Sequence, residues 1–221
     1  MPAENLTRAE AAERAEHITT HAYEVDLDLT TGDEVFRSTT VLRFDAQPGR
    51  STFVDLIAPR VLEVTLNGEA LDPAAVFADS RITLESLAAS NELRVVADCA
   101  YTNTGEGLHR FVDPVDDEVY LYSQFEVADS RRVFAVFEQP DLKATFAFTV
   151  TAPAHWTVVS NSPTPEPVPA SDGRAGLTWQ FAPTPRISSY ITAIVAGPYQ
   201  RETGTLTSSD GREIPLGVYC R

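Results

Sequence analysis

The stretch Tyr23-Glu24-Val25-Asp26-Leu27-Asp28-Leu29 alternates strictly between apolar and acidic side chains. Successive side chains of a β-strand point to opposite faces, so this period of two predicts a strand with one buried and one solvated face. Similar short runs recur at 35–44, 52–56, 61–66, 81–85, 92–101, 118–126, 144–151, 155–160, 176–181, 190–196 and 212–219. Many short strands with almost no helix between them predict an all-β, mostly antiparallel architecture of two packed or strongly curved sheets.

Two short helical segments interrupt this β pattern. The sequence Thr7-Arg8-Ala9-Glu10 has the spacing of a capping box and predicts a short helix that ends near His17. We therefore expect residues 1–21 to form a lead-in segment and residues 22–221 to form the β domain. A helical turn is expected within residues 128–137.

The Pro-rich segment 163–169 offers few backbone N–H groups to a β ladder. This composition predicts an extended surface loop of a long hairpin. A domain boundary is disfavoured because strands of the same character continue on both sides.

The charge of the chain limits the partners that it can bind. The 221 residues include 17 basic and 32 acidic side chains, which gives a formal net charge of -15. At about 150 residues per domain, a chain of 221 residues is expected to form one large domain or two small ones. A field of this sign repels nucleic acid and anionic membranes and favours a cationic group on a substrate.

The sequence favours a reducing compartment. It contains only two cysteines, Cys99 and Cys220, whereas small secreted domains use several closely spaced ones. Residues 1–18 lack the apolar run of a signal peptide, and no segment approaches the roughly 20 apolar residues of a membrane span. We expect a cytoplasmic protein that does not contact a membrane.

The four histidines do not form a zinc peptidase motif. An H-E-x-x-H site needs a Glu directly after the first His, but His17, His21, His109 and His155 are followed by other residues. His17 and His21 are spaced i, i+4, yet the predicted helix ends between them. The sequence thus predicts no catalytic residue and no metal ligand set in this chain.

The segment Tyr122-Ser123-Gln124-Phe125-Glu126 ends one of the predicted strands. With a period of two, Gln124 and Glu126 project to the same side and Phe125 turns away. A carboxylate beside an amide can bind a cationic amine and hydrogen-bond a neighbouring peptide group. Taken alone, the same pattern is typical of a solvated strand face.

The residues around this pair resemble the N-terminal domain of aminopeptidase N family zinc peptidases. The similar segments are Glu106-Gly107-Leu108-His109-Arg110-Phe111, Tyr120-Leu121-Tyr122-Ser123-Gln124-Phe125-Glu126, Ala128-Asp129-Ser130-Arg131-Arg132-Val133-Phe134 and Phe137-Glu138-Gln139-Pro140-Asp141-Leu142-Lys143-Ala144-Thr145-Phe146. The resemblance implies a saddle-shaped, mostly antiparallel double-sheet domain that precedes a thermolysin-like catalytic domain.

The resemblance also implies roles for individual residues. Glu126 would bind the free α-amino group of a peptide substrate, and Gln124 would contact the backbone of its first residue. The catalytic zinc ligands would lie in the family's catalytic domain, beyond this chain. The fragment alone would then neither bind catalytic zinc nor cleave peptides, and its partners would be peptide N-termini and its own catalytic domain.

The chain departs from the family pattern at one run. Where the family often has Pro-Cys-Phe-Asp-Glu-Pro, this sequence has Ala135-Val136-Phe137-Glu138-Gln139-Pro140. This difference puts in doubt any role for that Cys and any charge pairing at Gln139. Arg131 and Arg132 are expected to pair with carboxylates that brace the turn behind Glu126.

Two other functions stay open on the sequence. One is a non-catalytic β-sandwich binding or scaffold module that kept the fold without the chemistry. The other is a related hydrolase of lipid epoxides, which is disfavoured because the carboxylate of Glu126 suits an amine.

Overall fold

The first strand, β1 (Ile18–Asp28), shows the alternation that its sequence predicts. Tyr23, Val25 and Leu27 are buried, whereas Glu24 is exposed. The structure is a computed structural model that describes residues 5–171 and 173–221.

The remaining strands follow in chain order. They are β2 (Val35–Ala46), β3 (Thr52–Asp55), β4 (Arg60–Leu66), β5 (Glu69–Leu71), β6 (Phe77–Ala78), β7 (Arg81–Leu84), β8 (Ser90–Ala100), β9 (Gly107–Val112), β10 (Val119–Gln124), β11 (Thr145–Ala152), β12 (Thr157–Ser160), β13 (Val168–Pro169), β14 (Leu177–Gln180), β15 (Ile194–Gly197), β16 (Gln200–Thr207) and β17 (Glu213–Cys220).

These strands form several sheets of different size. The largest has eight strands in the order β13-β14-β11-β1-β2-β8-β4-β5, and a four-stranded sheet has the order β12-β15-β10-β9. Smaller sheets join β3-β7-β6 and β16-β17. Strand neighbours run antiparallel except β1 and β11, whose parallel register pairs Ala22 with Thr145. The predicted all-β, mostly antiparallel fold is confirmed.

The two largest sheets share one hydrophobic core. Side chains from β1, β2, β8 and β11 lie in the same buried cluster as side chains from β10, β12 and β15. At its centre the Phe134 ring meets those of Tyr23, Phe125, Phe146 and Phe148 edge-on, with centroids 5.9 to 6.3 Å apart. Such edge-to-face pairs contribute about 0.5–1.5 kcal/mol each beyond the burial of their area.

The N-terminal helix α1 (Arg8–His17) begins and ends where the sequence predicts. Its capping box is formed, because Thr7 Oγ1 accepts from the Glu10 N–H at 3.2 Å and the Glu10 carboxylate accepts from the Thr7 N–H at 2.8 Å. Strand β1 follows directly at Ile18, inside the range 1–21 that the sequence assigns to the lead-in segment. The buried Arg14 ties the helix to β3 through Asp55, at 3.2 Å.

A second short helix, α2 (Pro73–Val76), was not predicted. Asp72 caps it by accepting the Ala74 N–H at 3.0 Å, and Pro73 occupies its first turn. Pro suits that position because its missing N–H has no partner there in any helix. Further on, Ser130–Arg132 and Ser189–Ile191 form 3₁₀ turns, the first of which lies in the predicted helical segment 128–137.

The β16–β17 ribbon is exposed along almost its whole length. Its register places Leu206 opposite Ile214, Gly204 opposite Leu216 and Glu202 opposite Val218, so one face carries four apolar side chains and one carboxylate. The opposite face carries Thr203 and Thr205. The sequence predicted β17 and missed β16.

The Pro-rich segment lies on the surface, as predicted. Residues 163–167 have no regular structure, and Val168–Pro169 forms the outermost strand of the eight-stranded sheet. Proline is tolerated at that edge because no further strand requires its N–H.

Candidate functional site

The hairpin of β9 and β10 positions the pair that the sequence selects. Gln124 is the last residue of β10 and lies opposite Gly107 of β9, while the far side of β10 pairs with β15. Gln124 and Glu126 are exposed, and Phe125 between them is 2% exposed. The predicted alternation therefore continues past the end of the strand.

The two polar side chains are joined by a local hydrogen bond. The Gln124 side-chain Oε1 accepts from the Glu126 backbone N–H at 2.5 Å. This bond uses the carbonyl oxygen of the Gln124 amide. Within the described part of the chain, the Nε2 group of that amide has no acceptor, so it can donate to a ligand.

The Glu126 carboxylate is exposed and makes no hydrogen bond or ion pair with a residue in the described ranges 5–171 and 173–221. The carboxylates near it differ in this respect, since Arg132 binds Asp129 at 2.6 Å and Glu106 at 3.1 Å. Glu126 is thus the unpaired carboxylate of this group, whereas Asp129 and Glu106 share the single guanidinium of Arg132.

The turn that follows Glu126 is held by one local backbone bond and by one bond to a distant segment. The Phe125 carbonyl accepts from the Asp129 N–H at 3.2 Å, and the Arg131 carbonyl accepts from the Ile57 N–H at 2.6 Å. The prediction that Arg132 pairs with carboxylates is confirmed. For Arg131 it is wrong: its Nε donates to the Ala128 carbonyl at 2.9 Å, because the tight turn places that oxygen within reach.

A buried carboxylate, Glu138, lies behind this turn and was not selected from the sequence. It is 5% exposed and accepts hydrogen bonds from the Ser130 hydroxyl, the Arg131 N–H at 2.8 Å and the Ser189 hydroxyl at 3.0 Å. Burial raises the pKa of Glu138 above the ordinary value for a glutamate, and these hydrogen bonds oppose the rise.

The neighbouring Gln139 has no charge to pair, as its sequence indicated. Its Nε2 donates to the Ala11 carbonyl of α1 at 2.9 Å. The segment behind Glu126 is therefore attached to the N-terminal helix by an amide.

An aromatic groove of about 540 Å³ lies beside the strand that carries Gln124. The His109 ring stacks on Tyr122 with centroids 4.7 Å apart, and Tyr120 meets Tyr199 edge-on. Tyr120 and Tyr122 share the face of β10 from which Gln124 projects, because alternate residues of a strand point the same way. The residues that line the groove do not include Gln124 or Glu126, and one of them, Arg221, places its guanidinium over the Phe111 ring at 4.5 Å.

The described residues contain neither a cluster of metal-ligating side chains nor a membrane-spanning helix. No group of three or more His, Cys, Asp and Glu side chains there is arranged to hold a metal ion. No helix in residues 5–171 or 173–221 has both the length and the apolar character needed to cross a bilayer.

Comparison with known proteins identifies the family. The model of the peptidase M1 N-terminal domain matches residues 75–191, which include Gln124 and Glu126. Aminopeptidase N of Streptomyces lividans is 62% identical over 225 aligned residues, which cover 100% of this chain and 25% of that protein. Aminopeptidase N of Acetobacter pasteurianus is 42% identical over 99 residues, covering 45% of this chain and 26% of that protein.

A solved structure supports the fold. A crystal structure of Legionella pneumophila aminopeptidase A matches with a TM-score of 0.78 and 18% sequence identity, over 92% of this chain and 24% of that one. This chain therefore spans about a quarter of the length of these relatives. The extent of the family match and the identity to the Streptomyces protein together show that the chain belongs to the peptidase M1 N-terminal domain family.

Proposed function

We propose that this chain is the amine-recognition domain of a zinc-dependent aminopeptidase that removes N-terminal amino acids from peptides. Glu126 binds the substrate's α-ammonium group, and Gln124 contacts the backbone of the first residue through its free Nε2 donors. Residues 22–221 form the β domain, and residues 1–21 lead into it. The observation that carries the proposal is the exposed Glu126 carboxylate, which has no hydrogen bond or ion pair among the described residues, whereas the turn that follows it is held through Asp129 and Arg131.

The chemistry of a chain end explains why a carboxylate is needed there. A peptide N-terminus differs from an internal residue by its protonated amine. A charge-assisted hydrogen bond to that amine contributes about 1.5–3 kcal/mol. Because the amine is one residue away from the bond to be cleaved, fixing it also fixes that bond relative to the catalytic groups.

Zinc has no fitting site in the described residues, so no step within this chain involves the metal. In the full-length enzyme zinc would polarise the scissile carbonyl and activate water. Its ligands would lie in the catalytic domain of such an enzyme; the Streptomyces relative is about four times as long as the aligned region, which leaves room for that domain. The proposal includes that the 221-residue chain by itself does not cleave peptides.

The cytoplasm is the proposed location. Both cysteines are free in the structure, and a cytosolic compartment keeps thiols reduced. Free peptides with open N-termini are the proposed substrates, and the catalytic domain of the same polypeptide is the proposed partner.

The test is the Glu126→Gln variant of the full-length enzyme. Loss of about 1.4–4 kcal/mol of transition-state binding lowers kcat/KM for an alanine anilide by about 10- to 1,000-fold. Affinities for two competitive inhibitors are measured as well, one with the α-amine and one with hydrogen in its place. The variant loses affinity for the amine inhibitor and keeps its affinity for the des-amino one.

A matched control separates this effect from a general loss of charge. Glu69 is exposed on β5, an edge strand of the eight-stranded sheet, whereas Glu126 follows β10 of the four-stranded sheet. Glu69→Gln should leave both inhibitor affinities unchanged. Unchanged turnover of the anilide by Glu126→Gln would falsify the assignment of the amine site.

A further inference from the structure

The segment that carries Glu126 is anchored to the rest of the domain on both sides. On one side Phe125 is buried against the Phe134 ring, with centroids 6.0 Å apart. On the other side Arg131 is held through both of its backbone groups, its N–H by Glu138 and its C=O by the Ile57 N–H. Glu126 lies between these two anchors, so their positions determine where its backbone lies.

Glu138 takes the place of a helix cap at the second anchor. The 3₁₀ turn Ser130–Arg132 has Asp129 at its N-cap position, but that side chain makes no capping bond and pairs with Arg132 instead. Free N–H groups at the start of a helical turn need an acceptor. The Glu138 carboxylate supplies it from outside the turn, because it accepts from the Arg131 N–H and also from the Ser130 hydroxyl.

The same carboxylate extends the anchor to a distant part of the chain. Its other oxygen accepts from the hydroxyl of Ser189, 51 residues further on. Its own backbone N–H donates to the buried Asp55 carboxylate at 3.2 Å. The three groups that contact the Glu138 carboxylate, the Ser130 hydroxyl, the Arg131 N–H and the Ser189 hydroxyl, all donate to it. An ionised carboxylate, which can only accept hydrogen bonds, suits this set of donors.

We propose that Glu138 is a positioning residue for amine recognition: its buried carboxylate fixes the 3₁₀ turn Ser130–Arg132 and thereby sets the place of the Glu126 carboxylate. This inference rests on the proposed function of Glu126. Glu138 does not touch the substrate, and its removal acts only through the displacement of Glu126.

The test uses the full-length enzyme and the ratio of its affinities for the amine and des-amino inhibitors. Glu138→Ala removes both of the bonds that Glu138 makes to the turn and lowers this ratio by about 10-fold, which corresponds to about 1.4 kcal/mol. Glu138→Gln keeps one acceptor oxygen for the turn and can donate to the Ser189 hydroxyl, so it restores most of the ratio. The KM for an alanine anilide rises in Glu138→Ala more than kcat falls.

A double substitution distinguishes positioning from general damage. If Glu138 acts through Glu126, adding Glu138→Ala to Glu126→Gln leaves the inhibitor ratio where Glu126→Gln alone has set it. A further drop in the double variant would show an independent route and would overturn the inference.

A milder variant covers the case in which Glu138→Ala does not fold. Ser130→Ala removes one of the two donors that tie the turn to Glu138. It lowers the ratio by about two- to fivefold, which is less than the effect of Glu138→Ala. Its matched control is Thr178→Ala, which breaks a buried hydroxyl pair with Thr151 of 2.9 Å between β11 and β14. That control loses stability without a change in the ratio.

The outcomes separate the inference from the function on which it rests. A ratio that falls in Glu126→Gln but is unaffected by Glu138→Ala and Ser130→Ala refutes the positioning role and leaves the amine site intact. A ratio that is unaffected by Glu126→Gln refutes the amine site and the positioning role together.

Discussion

Replacing Arg14 with Met tests how strongly helix α1 is bound to the β body. Arg14 is 3% exposed and its partner Asp55 is 2% exposed, with 3.2 Å between Nη1 and Oδ2. The guanidinium also lies over the Phe53 ring at 4.2 Å and near the Phe137 ring at 5.3 Å. Met fills the same apolar space but leaves the Asp55 carboxylate buried without its cation.

The expected loss follows from that unpaired charge. Breaking a buried ion pair from one side lowers the free energy of unfolding by about 3–5 kcal/mol. For a chain of this size each kcal/mol shifts the melting temperature by about 2–4 °C, so Tm should fall by roughly 6–20 °C. The Nε and Nη2 groups of Arg14 lack partners among the described residues, which makes the pair itself imperfect.

A double variant reports the coupling between the two residues. Arg14→Met with Asp55→Asn removes both charges, and its loss should be smaller than the sum of the single losses by about 1–3 kcal/mol. Urea unfolding of the 221-residue chain, followed by far-ultraviolet circular dichroism, gives the required free energies.

Arg43→Met is the control that separates the effect of burial from the effect of the number of ion-pair partners. Arg43 binds two carboxylates, those of Glu24 and Glu92, yet its side chain is 43% exposed. Exposed pairs contribute about 0–1 kcal/mol, so this variant should be almost as stable as the parent chain. If Arg14→Met costs no more than Arg43→Met, the reasoning from burial is wrong.

Three further measurements check other parts of the structure. Gly107→Ala should lower the free energy of unfolding by about 1–3 kcal/mol in urea, because Gly107 has φ +62° and a Cβ there would lie 2.9 Å from the Arg132 Cβ; an unchanged midpoint would contradict this. The hydrogen bond from Arg81 lowers the pKa of Glu10 from 4.5 to about 2. The stability that Glu10 contributes is therefore present above pH 4.5 and is lost as the pH falls toward 2. Carboxyl NMR titration should show this value and its return toward 4.5 in Arg81→Met. Of the two free thiols, one should react with DTNB in the folded chain and both after unfolding, because Cys99 is completely buried; two reactive thiols in the folded chain would refute its burial.

Strands with one buried face could be predicted from the sequence because their alternation is written locally. The run from Tyr23 to Leu29 shows this. The dipeptide Asn67-Gly68 is a local signal of another kind, because both residues tolerate a positive φ and both adopt one in the two-residue turn between β4 and β5. Strand β16 was missed because both of its faces are exposed and its residues are mostly polar. Helix α2 was missed because four residues are too few to show a helical period.

The candidate site divides in the same way. The exposure of Gln124 and Glu126 and the burial of Phe125 between them follow from a local period of two. The role of Glu138 depends on Ser189, 51 residues away, and on a 3₁₀ turn that lacks its own cap. Contacts between distant segments carry no local period, so the sequence did not indicate this residue.

The parallel pairing of β1 with β11 constrains how the polypeptide is made. Tyr23 stacks on Phe146 with ring centroids 4.7 Å apart, although more than a hundred residues separate them in the chain. A nascent polypeptide leaving the ribosome can join β1 to β2 early, but the other border of β1 stays open until β11 has been synthesised. Contacts of such high sequence separation slow folding and prolong the exposure of unpaired strand edges. Chaperone capture of the first half of the chain during translation is the expected consequence.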